Sequence, residues 1–217
     1  MKNNKNPGKA GANEMSEVEL NQNQLDALRE IESIGAGNAA TSLSVMLGRK
    51  VGVKSLGITM ESIENVPGAL GGAESVANVI FFSVTGRVKG SMLLILPAAG
   101  SVKLARLLTG GKAGATEGLS ELELSALKEL GNIMTGSYLS AMARFMKMKI
   151  TYSIPGFACD MLGAVLDGVL ARLSLKAGHA IIMESELEAQ EDVHMVHLVF
   201  FPELEALQAI LEALGVA

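Results

Sequence analysis

Residues 119–156, LSELELSALKELGNIMTGSYLSAMARFMKMKITYSIPG, decide the fold, because a second version of the stretch occurs earlier in the chain. Shifted by 99 residues they fall without a gap on residues 20–57, LNQNQLDALREIESIGAGNAATSLSVMLGRKVGVKSLG. The identities in register are Leu20/Leu119, Leu25/Leu124, Ala27/Ala126, Leu28/Leu127, Glu30/Glu129, Ile34/Ile133, Gly37/Gly136, Lys50/Lys149 and Gly57/Gly156. Pairs of similar type, among them Arg29/Lys128, Leu47/Met146 and Val51/Ile150, add to them. Self-similarity at a fixed offset is the mark of a tandem repeat, so one structural reading serves both halves.

Each copy opens as a helix. Leu25, Leu28 and Ile31 in the first, and Leu124, Leu127 and Leu130 in the second, recur at three-residue spacing, which lines one helical face. Ser120 followed three residues later by Glu123 is a capping-box pattern that predicts a helix start near residue 119. β character follows. Residues 51–58 and 150–154 are rich in β-branched side chains, and 76–88, 90–96, 168–175, 180–187 and 193–201 read as strands. Short connections at 86–90 and 188–192 predict antiparallel pairing. Each half closes on an amphipathic helix, at 100–108 and 203–214, ended by Gly110 or Gly215, where glycine accepts a left-handed cap. The fold class is therefore α+β, an internal duplication with helices laid on an antiparallel sheet. A disordered segment is expected over 1–17, and a domain over 18–217 built of repeats at about 18–110 and 118–217. The glycine-rich stretch 110–118 would join the two.

Composition removes several classes of function. Of the 217 residues 49% are apolar and 19% charged, enough to bury a substantial core. Mean hydropathy is high at +0.34, yet runs such as 79–82 and 92–96 are far shorter than the roughly 20 residues of a membrane helix. A net charge of −5, two Tyr and no Trp give neither the basic field nor the stacking platform of a nucleic-acid binder. The single Cys159 cannot close an internal disulfide, and 1–14 lacks the apolar core of a signal peptide, so a cytoplasmic location is expected.

The polar face of the repeat helix carries the functional signal. In the second copy Ser125, Glu129 and Asn132 are spaced by four and three, stacking on the face opposite the leucines, with Gly136 one turn further. The first copy holds Asp26, Glu30, Ser33 and Gly37 at these places: the acid is kept and the amide is lost. On its own such a face is ordinary solvated helix surface. Glycine, however, costs a helix about 1 kcal/mol relative to alanine, and its recurrence at Gly37 and Gly136 predicts close approach by another helix or a partner.

Residues 30–44, EIESIGAGNAATSLS, resemble the first active helix of the CheC family of chemotaxis phosphatases, and the resemblance extends over about 18–215. The family signature is an acid or serine, three residues, Glu, two residues, Asn, twenty-two residues and Pro. Ser125, Glu129, Asn132 and Pro155 match every element and every spacing. Asp26 and Glu30 match the first two in the other copy, where Ser33 replaces the Asn and Leu56 the Pro. The resemblance implies a pseudo-two-fold domain with both signature helices exposed on one side of the sheet. It implies hydrolysis of the aspartyl phosphate of a CheY-type response regulator, with Glu129 and Asn132 catalytic and with Ser125, Gly136, Asp26 and Glu30 facing the partner. Asn132 would hold the water in line with phosphorus and Glu129 would pair with the regulator's lysine; Ser33 marks the first site as degenerate. No cofactor of the chain's own is expected, since Mg²⁺ comes on the regulator. The alternative implied by the family is a non-catalytic regulator that binds the receptor deamidase CheD. A flagellar-switch component is less favoured, because such relatives carry a further C-terminal domain and this sequence stops at Ala217.

Other motifs carry less. Gly35, Gly37 and Ala40 spell a dinucleotide fingerprint, but a charged helical segment stands where the required strand should be. His194 and His197 are three apart, on opposite faces of a strand, and Cys159 has no partner at metal-ligand spacing, so no metal site is expected. Met134, Met142, Met146 and Met148 read as core filling where aromatics are scarce.

Overall fold

The computed structural model describes residues 20–111, 118–172, 178–189 and 191–215. The expected disorder at 1–17 and most of the expected linker lie outside these residues. The two signature helices, α1 (Gln22–Leu47) and α4 (Glu121–Met146), have the same length and stand in the 99-residue register of the sequence. Both start on capping boxes, Asn21 with Gln24 and Ser120 with Glu123, which satisfy backbone N–H groups that the first turn leaves without partners. Ser120 donates its backbone N–H and its hydroxyl to Glu123 at 2.8 Å each, and these bonds first, with Arg106 after them, hold the Glu123 carboxyl below its usual range. Both helices end on a left-handed residue, Gly48 at φ 61° and Lys147 at φ 53°.

The remaining elements repeat in order. After α1 come β1 (Val51–Ser62), a 3₁₀ turn (Ile63–Asn65), α2 (Val66–Ala69), β2 (Val76–Gly86), β3 (Gly90–Pro97) and α3 (Ala98–Leu108). After α4 come β4 (Ile150–Tyr152), β5 (Gly156–Met161), α5 (Leu162–Arg172), β6 (His179–Ala189), β7 (Asp192–Pro202) and α6 (Leu204–Gly215). Among the described residues the sheet runs β1-β6-β7-β3-β2-β4, with β5 also paired to β2, and every pairing is antiparallel. The hairpins β2–β3 and β6–β7 are the short connections expected at 86–90 and 188–192.

One expectation is corrected. Residues 168–175 read as a strand, yet 168–172 form the last turns of α5, and 173–175 lie outside the described residues. Leu162, Val165, Leu166 and Val169 are buried, the i, i+3, i+4, i+7 pattern of a helix; a window opened at Gly168 cuts that pattern in half. The helix has a face to cover. Along β3, Met92, Leu94 and Leu96 point to the side holding α1, α4, α3 and α6, while Leu93 and Ile95 point to the side holding α2 and α5. A sheet buried on both faces needs apolar residues at consecutive positions rather than alternate ones, which explains the run 92–96.

The signature helices pack on each other through Gly35. A Cβ there would lie 2.9 Å from the Tyr138 ring, so the glycine fingerprint of the sequence is a helix-packing contact. The Tyr138 hydroxyl meets Ser185 at 3.1 Å, and burial pushes its pKa up to about 12. Beside it Glu32, 1% exposed, leaves Oε1 without a hydrogen-bond partner. Burial raises its pKa above the ordinary 4.5, opposed by a bond from Ser55 and by Arg29 and reinforced by Glu184. A carboxyl whose native pKa is raised binds its proton more tightly folded than unfolded, so stability falls as pH rises from about 4.5 through the native value. Glu32→Gln is therefore expected to stabilise the protein at pH 8 by about 1–3 kcal/mol, with the gain vanishing at pH 4 in thermal melts.

Candidate active site

The second-copy site is built by α4 and the segment that follows it. Ser125 and Glu129 are exposed, and Asn132 and Gly136 are half-buried on the same face. Helix geometry explains this face, since Leu127, Leu130 and Met134 are fully buried on the other. Among the described residues the Asn132 amide makes no side-chain hydrogen bond and Glu129 makes no salt bridge. One carboxylate and one carboxamide thus stand a turn apart with their polar atoms uncommitted. A carboxamide offers an acceptor and two donors, suited to holding a water molecule; a carboxylate is suited to a cation.

Gly136 has a reason within the chain itself. A Cβ there would stand 2.5 Å from the Tyr152 hydroxyl, so within the chain the close approach at this glycine is made by β4. At Gly37 the same test finds nothing within 4 Å, because Val53 occupies the place that corresponds to Tyr152. Tyr152 is the site residue that sequence reading missed. At the 99-residue offset Tyr152 answers to Val53 while the glycine is kept at both Gly37 and Gly136, a difference that does not by itself tell which way the ring points.

Pro155 also finds a structural role. The edge strand stops at Tyr152 and resumes at Gly156, and proline has no N–H to offer a ladder. The break is pinned to β2, with Ser153 N–H donating to the Ser83 carbonyl at 3.0 Å and Ser83 N–H donating to the Ser153 hydroxyl at 3.0 Å. The expected strand 150–154 is therefore shorter by two residues. In the first copy Leu56 stands at this place and β1 runs on unbroken, the register slipping between Ser55 and Gly57. A one-residue bulge does there what the proline does in the second copy.

The first face is laid out alike but differently occupied. Asp26, Glu30, Ser33 and Gly37 are all exposed on α1. The Asp26 carboxylate is already engaged, with Arg29 at 3.1 Å and Gln22 at 2.9 Å, although an exposed pair of this kind contributes little to stability. Ser33 offers a hydroxyl where α4 offers an amide.

Elsewhere, no group of three or more potential ligands that could hold a metal occurs among the described residues. No helix among them is long and apolar enough to cross a membrane. His194 is buried and His197 lies on the opposite strand face.

The chain is similar to proteins of known family. The model of the CheC-like family matches residues 122–162, which span the second-copy site from α4 to β5. The chain is 32% identical over 200 residues to the CheY-P phosphatase CheC of Bacillus subtilis, covering 90% of this chain and 96% of that protein. It is 32% identical over 144 residues to the flagellar motor switch phosphatase FliY of the same organism, covering 65% of this chain but 37% of that protein. The crystal structure of Thermotoga maritima FliY shares the fold, with a TM-score of 0.69 at 22% identity over 90% of this chain and 98% of that one. Identity of that level across nearly the whole of both chains, with the repeat helices in register, shows that the chain belongs to the CheC-like family.

Proposed function

We propose that this protein is a phosphatase that hydrolyses the aspartyl phosphate of a CheY-type response regulator in chemotaxis, through the α4 face. The observation that carries the reading is the uncommitted Glu129 and Asn132 pair on an exposed helix, in a chain 32% identical to a CheY-P phosphatase. An acyl phosphate is already activated, and the regulator is expected to bring its own Mg²⁺ and lysine to the phosphoryl oxygens. This chain then has to add a positioned water, and the work is orientation more than bond-making. Asn132 holds the water in line with phosphorus. Glu129, one turn away, pairs with the regulator's lysine and fixes how the helix docks. Ser33, shorter and without an amide, leaves the first face able to dock through Glu30 but poor at hydrolysis.

The test is the decay of an acetyl-phosphate-labelled CheY-type receiver domain with and without the protein. Accelerated decay supports the reading; unchanged decay with retained binding to the deamidase CheD favours the non-catalytic alternative. Glu129→Ala is expected to raise the regulator concentration for half-maximal rate about tenfold and to lower turnover as well. The binding loss should shrink as salt is raised, since salt already screens the attraction that the substitution removes.

A further inference from the structure

We propose that Tyr152 is a third substrate-contact residue of the α4 site, its phenolic O–H donating a hydrogen bond to an oxygen acceptor on the phosphorylated face of the docked regulator. This rests on the functional reading above and names a contact that the Glu/Asn signature does not include.

Three observations converge on this residue. The first is position: the hydroxyl lies over Gly136, one turn along the helix face from Asn132, where a methyl group would collide with it. The second is rigidity. The Tyr152 ring meets Phe82 edge to face, with centroids 5.7 Å apart and planes at 82°. Its backbone is paired opposite Val84, and its neighbours are held by Thr85 with Thr151 at 2.9 Å and by Ser83 with Ser153. A donor fixed in this way loses little freedom when a partner arrives. The third is availability: Tyr152 is exposed and no protein group among the described residues takes a hydrogen bond from its hydroxyl, whereas the other tyrosine, Tyr138, is buried and bonds to Ser185. Burial first and Glu129 second raise the Tyr152 pKa, so the phenol stays protonated as a donor.

The first copy shows the complement. It lacks the amide at Ser33, the proline at Leu56 and the phenol at Val53, with open space over Gly37. The phenol is absent from the face that also lacks the hydrolytic amide.

The experiment compares Tyr152→Phe, Gly136→Ala and Asn132→Ala by rate against concentration of an acetyl-phosphate-labelled CheY-type receiver. Binding is measured separately with the same receiver carrying Mg²⁺ and beryllofluoride. Tyr152→Phe keeps the ring on Phe82 and should melt with the wild type. It is expected to raise both the half-saturating concentration and Kd about fivefold, with the maximal rate within twofold, as for one lost hydrogen bond. Gly136→Ala, which takes the seat of the hydroxyl, should weaken binding in the same direction. If Tyr152→Phe binds and turns over like the wild type while Asn132→Ala is inactive, the Tyr152 contact is overturned and the site stands. If Asn132→Ala is unimpaired, both fall.

Discussion

Asn132→Ala is expected to cut the maximal rate of regulator dephosphorylation about 100-fold, the scale of losing one transition-state donor, while regulator binding stays within twofold. The amide makes no bond inside the protein, so its removal should leave the melting temperature nearly unchanged; substitutions at such positions usually shift stability by less than about 0.5 kcal/mol. Its task exists only when water is being aligned on phosphorus, and an interaction realised in the transition state alone appears in the rate rather than in affinity. Single-turnover decay with the phosphatase in saturating excess over phosphorylated receiver, beside a binding isotherm, separates the two quantities. Unimpaired turnover would remove α4 as the hydrolytic face and move the CheD-binding reading to first place.

The second large effect is structural. Gly90→Ala should destabilise the protein by about 3 kcal/mol, lowering Tm by roughly 6–12 °C for a domain of this size. Gly90 opens β3 opposite Pro202, and a Cβ there would overlap the Phe201 carbonyl oxygen and press on the Phe200 ring. Backbone oxygen cannot swing aside as a side-chain tip can, so the central strands β3 and β7 must part. Gly37→Ala is the control, since a Cβ there meets nothing within 4 Å. A Gly90→Ala protein that melts with the wild type would show that the sheet relaxes around the added methyl at no cost.

Much of this architecture was legible because duplication doubles every local signal. The helices α1 and α4, the capping box of Ser120 with Glu123, the hairpins and the exposed face bearing Glu129 and Asn132 all follow from spacing within one copy checked against the other. The misreadings came where the copies differ or where a period is ambiguous. The end of helix α5, residues 168–172, reads as a strand because its apolar face is entered partway, and its counterpart in the first copy is only the short α2. Tyr152 was passed over because nothing in a β-branched run marks one aromatic as facing a helix; that depends on the fold placing β4 beside Gly136. Glu32 could not be recognised as buried, since residue 32 corresponds to Gly131, whose Cβ would lie 2.8 Å from Ile80. Burial there is decided by packing between α1 and the sheet, not by the helical pattern.

The interruption at Leu56 and Pro155 has a meaning beyond the site. Strand β1 bounds the sheet on one side, and β4 with β5 bounds it on the other, so each border exposes unpaired backbone groups that could recruit a strand from another molecule. A straight twelve-residue border such as β1 would be an inviting template for amyloid-like stacking. The bulge at Leu56 bends one border out of register, and the proline removes an N–H from the other. The same position in the two copies therefore guards the two margins of the sheet, and replacing Pro155 or straightening the bulge should first become apparent as aggregation on refolding, ahead of any change in catalysis.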